Sequence, residues 1–119
     1  MRSINTYRDL LVWQKAMSLV SETYKITQFF PAAEIYGLMS QSRRRAVSIP
    51  SNIAEGYGTR STGDYKRFLQ IAVASLFELQ TQMEIAFNLN YIDKAKFDLL
   101  LEWTNELDRM LSSLITKIK

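Results

Sequence analysis

Cysteine and histidine are both absent from the 119 residues, and each absence closes a branch of chemistry. Without thiols there is no disulfide framework, no thiolate nucleophile and no cysteine-built zinc site; without imidazole the usual acid/base group and metal ligand is gone. Glycine occurs four times and proline twice, and the sequence places them where helical patterns stop or bend. No run of 18 apolar residues is present, and the opening Met1-Arg-Ser-Ile-Asn-Thr-Tyr-Arg lacks an apolar stretch before a cleavage site. A soluble, cytoplasmic protein without membrane contact is therefore expected. The phosphate-cradling G-x-x-x-x-G-K-[ST], the dinucleotide G-x-G-x-x-G and the G-x-S-x-G elbow are missing as well, so no catalytic residue and no cofactor is assigned.

What is there is helical. At 47% hydrophobic, the chain suits one domain, residues 1–119, with a single continuous core. A first helix is expected from Thr6 or Asp9 to about Gln28, with Leu10, Trp13, Met17, Val20 and Tyr24 as its core face. Val12, Ala16, Leu19, Thr23 and Ile26 form a second, mostly apolar line on its far side. A second helix should start near Ala33 or Glu34 and end at Gly56 or Gly58, burying Ile35, Met39, Ser42, Ala46, Ile49 and Ile53. Pro50 cannot donate to the carbonyl of Ala46, so a kink is expected near Val47–Pro50, or a break into two helices. Ser61 or Thr62 should cap a third helix with a stripe of Tyr65, Phe68/Leu69, Ala72, Leu76, Leu79, Met83 and Ala86. Asn90 ends it in place of a glycine. Asp93 caps a fourth, carrying Phe97, Leu100, Thr104, Leu107, Leu111, Leu114 and Ile118. Four such helices with short connections predict an all-α, antiparallel up-down-up-down bundle.

The net charge of +3 is unevenly spread. Residues 43–67 hold six basic groups (Arg43, Arg44, Arg45, Arg60, Lys66, Arg67) against Glu55 and Asp64, whereas residues 68–119 hold five against seven. The basic segment could be a solvated, ion-paired face. It could equally contact the phosphates of RNA or DNA through the bidentate guanidinium fork. Gln41, Arg44 or Arg45, Ser48, Asn52 and Glu55 follow 3-4 spacing and make a polar strip along the second helix; Ser75, Glu78 and Gln82 make another on the third. Solvent exposure is one reading of these strips, and a polar network within the bundle or between subunits is the other. The acidic line Asp98, Glu102, Glu106 with Asp108 lacks the histidine that dimetal bundles use, so no metal site is expected.

Apolar residues exceed what a monomer needs: the second line of the first helix, Ile71 and Ile85 on the third, and Leu99, Trp103 and Met110 on the fourth point to self-association. Trp13-Gln-Lys-Ala, Phe30-Pro31, Glu34-Ile-Tyr-Gly-Leu, Gln41, Arg43-Arg44, Phe68-Leu69, Ile71-Ala72, Ser75, Glu78-Leu79 and Ala86 recur around a specific motif, Ser48-Ile-Pro-Ser-Asn-Ile-Ala-Glu-Gly56. Through them the chain resembles, over nearly its whole length, the 23S rRNA intervening-sequence proteins, also called the four helix bundle protein family. The resemblance implies a bacterial four-helix bundle assembled as a homopentameric ring. Its name records a genomic location, not an activity, and it brings no catalytic residues. Similar proteins serve as accessory factors of diversity-generating retroelements, where a basic barrel binds nucleic acid and a reverse transcriptase. The family's basic positions fall on Arg43, Arg44 and Arg60, with Lys66 and Arg67. Arg45, Ser42 and Ala74 depart from its pattern. Binding of structured nucleic acid is the leading expectation, and a scaffold that docks a partner enzyme is the alternative.

Overall fold

The computed structural model describes residues 3–118. Four α-helices carry the chain: α1 (Leu11–Thr27), α2 (Leu38–Tyr57), α3 (Thr62–Asn88) and α4 (Lys94–Lys117). No strand occurs among the described residues. Each helix packs on its sequence neighbours and α1 closes against α4, giving a four-helix bundle. Side-chain pairs fix the directions. Ser48 meets Ser75 and Arg45 meets Glu78; Gln80 meets Thr104 while Phe87 stacks on Phe97; Lys15 meets Glu106. In the first two sets one number rises as the other falls, and between α1 and α4 Leu11 shares a hollow with Leu114 whereas Ser18 shares one with Trp103, so these neighbours run antiparallel.

The ends are set by local chemistry. Thr6 and Asp9 form a capping box around a single 3-10 turn, Tyr7–Asp9, that leads into α1. The Ser61 hydroxyl accepts from the Asp64 N–H at 3.0 Å to start α3, and the Asp93 carboxylate accepts from the Lys96 N–H at 2.9 Å to start α4. Asn90 adopts φ 62°, the left-handed conformation that ends α3. The Tyr91 N–H then reaches the Ala86 carbonyl at 2.9 Å and the Asn90 N–H the Phe87 carbonyl at 3.0 Å. The start of α2 differs from expectation. Residues Ala32–Glu34 form a 3-10 turn and α2 begins only at Leu38, because the Glu34 carboxylate turns forward and accepts the Leu38 N–H at 2.9 Å. Glu34 Oε2 also accepts from the Tyr91 hydroxyl at 2.8 Å, which ties the α1–α2 connection to the α3–α4 connection.

The core confirms the expected lines of α2, α3 and α4 in their central turns: Ser42, Ala46, Ile49 and Ile53; Leu69, Ala72, Leu76, Leu79, Met83 and Ala86; Leu100, Thr104, Leu107 and Leu111. Ile35, expected at the head of the α2 line, precedes the helix and is exposed. On α1 it inverts the expectation. Val12, Ala16, Leu19, Thr23 and Ile26 are buried, whereas Met17 and Tyr24 remain 44% and 43% exposed and Leu10, Trp13 and Val20 are half-buried. Both lines are apolar at helical spacing, so periodicity alone does not rank them. The buried line is the one whose polar members satisfy themselves: the Thr23 hydroxyl donates to the Leu19 carbonyl and the Thr27 hydroxyl to the Thr23 carbonyl, each at 2.8 Å. A buried Tyr24 hydroxyl has no such local acceptor. At α2, Pro50 lies inside one unbroken helix, so the break into two helices does not occur.

Candidate interaction surfaces

The polar strips of α2 and α3 face each other along part of their length. Ser48 and Ser75 hydroxyls lie 2.9 Å apart, and Asn52 Nδ2 donates to both the carbonyl and the hydroxyl of Ser48 at 2.8 and 2.9 Å. One turn toward the start of α2, Arg45 lies 3.8 Å from Glu78 with both groups partly exposed, so the pair adds little stability. Gln41 and Glu55, at the two ends of the α2 strip, point to solvent. Gln82 is half-buried and its Oε1 has no partner in the structure, as is true of the fully buried Ser42 hydroxyl. At the far end of this seam Gly56 is buried. A Cβ there would stand 2.9 Å from Phe68 Cβ and 3.3 Å from the Tyr65 carbonyl, so only glycine lets the two backbones come so close.

The basic residues, gathered in one segment of the sequence, do not form one patch. Arg43 is turned inward: its Nε donates to the Thr27 hydroxyl at 2.9 Å, its Nη2 reaches the Tyr24 carbonyl at 3.3 Å, and the guanidinium covers the Tyr24 ring at 4.5 Å. It thereby binds α2 to the C-terminal turn of α1, where carbonyls and the helix dipole favour a cation. Arg45 faces Glu78. Arg67 lies 3.6 Å from Asp64 and over the Phe68 ring at 4.6 Å. Arg44 and Arg60 are exposed and Lys66 half-buried, and none of the three has an acceptor among the described residues. Twelve helical steps separate Arg45 from the end of α2, about 18 Å, so the triplet and the Arg60–Arg67 group occupy different ends of the seam.

Two further features escaped the sequence. Thr27, which holds Arg43, lies on the buried line of α1 one turn past Thr23; that spacing was the available signal. Glu34 and Tyr91, 57 residues apart, have no local signature at all. The Leu38 N–H and the Tyr91 hydroxyl hold the Glu34 carboxyl below the usual glutamate range, and the same bond pushes the Tyr91 phenol up. On α4, the Lys15 ammonium at 2.6 Å likewise lowers Glu106, and Asp98 pairs with Lys94. No cluster of metal-ligating side chains occurs among the described residues.

Apolar side chains outside the core gather in three places. Along α1 and α2 two adjoining hollows of about 510 and 310 Å³ share Val47 and form one open groove, walled by Trp13, Met17, Val20 and Tyr24 on one side and by Met39, Val47, Pro50 and Ala54 on the other. Between α1 and α4 a hollow of about 650 Å³ is lined by Ile4, Leu10, Leu11, Met110 and Leu114, with the charged Asp9, Glu106, Arg109 and Lys117 among them. On α3, Ile71, Phe77 and Ile85 are 38%, 48% and 43% exposed. Among the described residues no helix is long and apolar enough to cross a membrane.

A solved structure from Bacteroides thetaiotaomicron VPI-5482, described as a protein with unknown function from the S23 ribosomal protein family, shares this fold. It superposes with a TM-score of 0.82 at 22% identity over 88% of this chain and 98% of its own. No curated protein matches the chain. The sequence profile of the 23S rRNA-intervening sequence proteins matches residues 8–113, from the capped turn before α1 to the last turns of α4, and the chain belongs to that family.

Proposed function

We propose that the chain is a non-enzymatic interaction module that assembles with copies of itself into a ring and docks a protein partner. The observation that carries this reading is the apolar surface left outside a complete core, distributed over unlike faces. In this bundle α1 and α3 sit on opposite corners, since among the four helices each contacts α2 and α4 but not the other. The α1–α4 hollow and the outer face of α3 therefore point in different directions. Contact between unlike faces is head-to-tail, and head-to-tail contacts make a ring where the rotation between neighbours closes and a filament where it does not; the pentamer expected from the family resemblance is the closed case.

Sedimentation equilibrium of the wild-type chain beside Phe77→Glu and Ile85→Glu tests the assembly. An oligomer that either substitution dissociates supports it, and a wild-type chain that stays monomeric overturns it. Both positions are exposed, so the variants keep the bundle.

A second reading rests on a separate observation. Arg44, Arg60 and Lys66 carry charge with no acceptor among the described residues, which suits phosphates of structured RNA or DNA. Fluorescence anisotropy over a salt series, with an Arg44→Ala/Arg60→Ala/Lys66→Ala variant, tests it. Binding whose salt slope shrinks in the variant assigns these groups to phosphate contact. A flat salt response, or no binding at low salt, removes the reading.

A further inference from the structure

We infer that the α1–α2 groove receives an amphipathic helix of a partner protein that carries a carboxylate at the end lying over Arg44, an inference that rests on reading the chain as an interaction module. The groove has the shape of a helix seat. On α1, Trp13, Met17, Val20 and Tyr24 stand at alternating four- and three-residue steps, and on α2 Met39, Arg43, Val47 and Ala54 face them. From Met39 to Ala54 the wall is about 22 Å long, which matches roughly four helical turns. With no strand edge among the described residues, an extended peptide would find no backbone partners here; a helix satisfies its own.

The charge is one-sided. No acidic residue lines either hollow, and the groove's two cations lie together at the Tyr24–Met39 end. Arg43 is already committed to Thr27 and the Tyr24 carbonyl and serves as wall. Arg44 is exposed beside it with no acceptor among the described residues, so its fork is available for a carboxylate. The rim hydroxyls Ser40 and Ser51 add hydrogen-bonding capacity without charge. The self-association proposed above uses the α3 face and the α1–α4 hollow, so this groove remains open in the assembly.

The test uses three stapled helical peptides of about four turns: one with leucines at 3-4 spacing and two glutamates at one end, one with lysines replacing the glutamates, and one acidic peptide with its leucines changed to serine. Binding is read by anisotropy and located through the 13C-labelled methyl groups of Met17 and Met39. The acidic apolar peptide should bind and shift both methyls, the lysine peptide should bind roughly tenfold more weakly for the loss of one charge-assisted pair, and the serine peptide should not bind. Arg44→Glu should reverse the preference between the first two. Equal binding of acidic and basic peptides, binding that leaves Met17 and Met39 unshifted, or no binding of the acidic peptide overturns the inference. So does a dilution-dependent shift of those methyls in the free protein, which would place a second copy in the groove. Failure with the oligomer intact leaves self-association standing, whereas acidic-peptide binding by a monomeric chain leaves the groove and removes the ring.

Discussion

Toward α3, helix α2 presents Ser48, with Asn52 bonded to it, and Gly56; toward α1 it presents Met39, Arg43, Val47 and Pro50. The first set is small and polar, and the seam it makes is closed: hydroxyls meet at 2.9 Å and a glycine stands where a methyl would collide. The second set is large and apolar, and its seam opens outward into a groove. Side-chain size thus sets how near the helices come, and hydrogen-bonding capacity sets what remains for other molecules. A seam closed by close packing and the Ser48–Ser75 contact is architecture, and one that leaves apolar walls and an exposed guanidinium is surface for use.

If this contrast is right, equal substitutions on the two sides of α2 have unequal effects. The largest belongs to Gly56→Val. Its Cβ must displace Phe68 Cβ or the Tyr65 backbone, and overpacking of this kind should cost about 1–3 kcal/mol, read as a lowered midpoint in urea unfolding. An unchanged midpoint would mean that α2 and α3 separate easily at that end. Ser48→Ala comes next. It leaves the buried Ser75 hydroxyl and Asn52 Nδ2 short of a partner, with an expected cost of about 1–2 kcal/mol, while Ser48→Ala/Ser75→Ala should cost less than the two single changes together. Additive single effects would show that the two hydroxyls are not coupled.

Arg43→Ala should lose about 1 kcal/mol by giving up its hydrogen bonds to α1, and Arg43→Lys should recover only part, since an ammonium cannot keep the fork and lie flat on Tyr24. Smallest is Met17→Ser in the groove, expected within about 0.5 kcal/mol of wild type because Met17 is already near half exposed. A large loss there would make the groove part of the core and sink the contrast.

Acid offers an independent probe of the loop tie. Glu34 is depressed by the Leu38 N–H and the Tyr91 hydroxyl, so its folded carboxylate binds protons less readily than the unfolded one. Its stabilisation is therefore present above the ordinary glutamate value of about 4.3 and is lost as pH falls through the lower folded value. The melting temperature of wild type should drop toward that of Glu34→Gln across this window. Parallel curves for the two chains would show that the carboxylate carries no such linkage.

Much of this was legible beforehand. Ser61, Asp93 and Asn90 were readable because caps and left-handed turns depend on neighbours within a few residues. The lines of α2, α3 and α4 were readable because each helix has one dominant apolar face. The delayed start of α2 was not, since its cause is the Glu34 carboxylate taking the cap that a continuing helix would not need. Nor was the state of the arginines: sequence groups them by position, but a guanidinium is free or committed according to what another helix places beside it.

The amino-acid order by itself determined four helices, the caps of α3 and α4, their antiparallel succession and most of the core, because periodicity and capping act over one or two turns. Tertiary packing decided which of the two apolar lines of α1 went inside, that Arg43 was consumed by Thr27 and Tyr24, and that Arg44 was left at the end of an open groove. Two faces of equal hydrophobicity are equivalent to an isolated helix, and only the neighbours it packs against, with the polar groups each arrangement would strand, make one of them the interior.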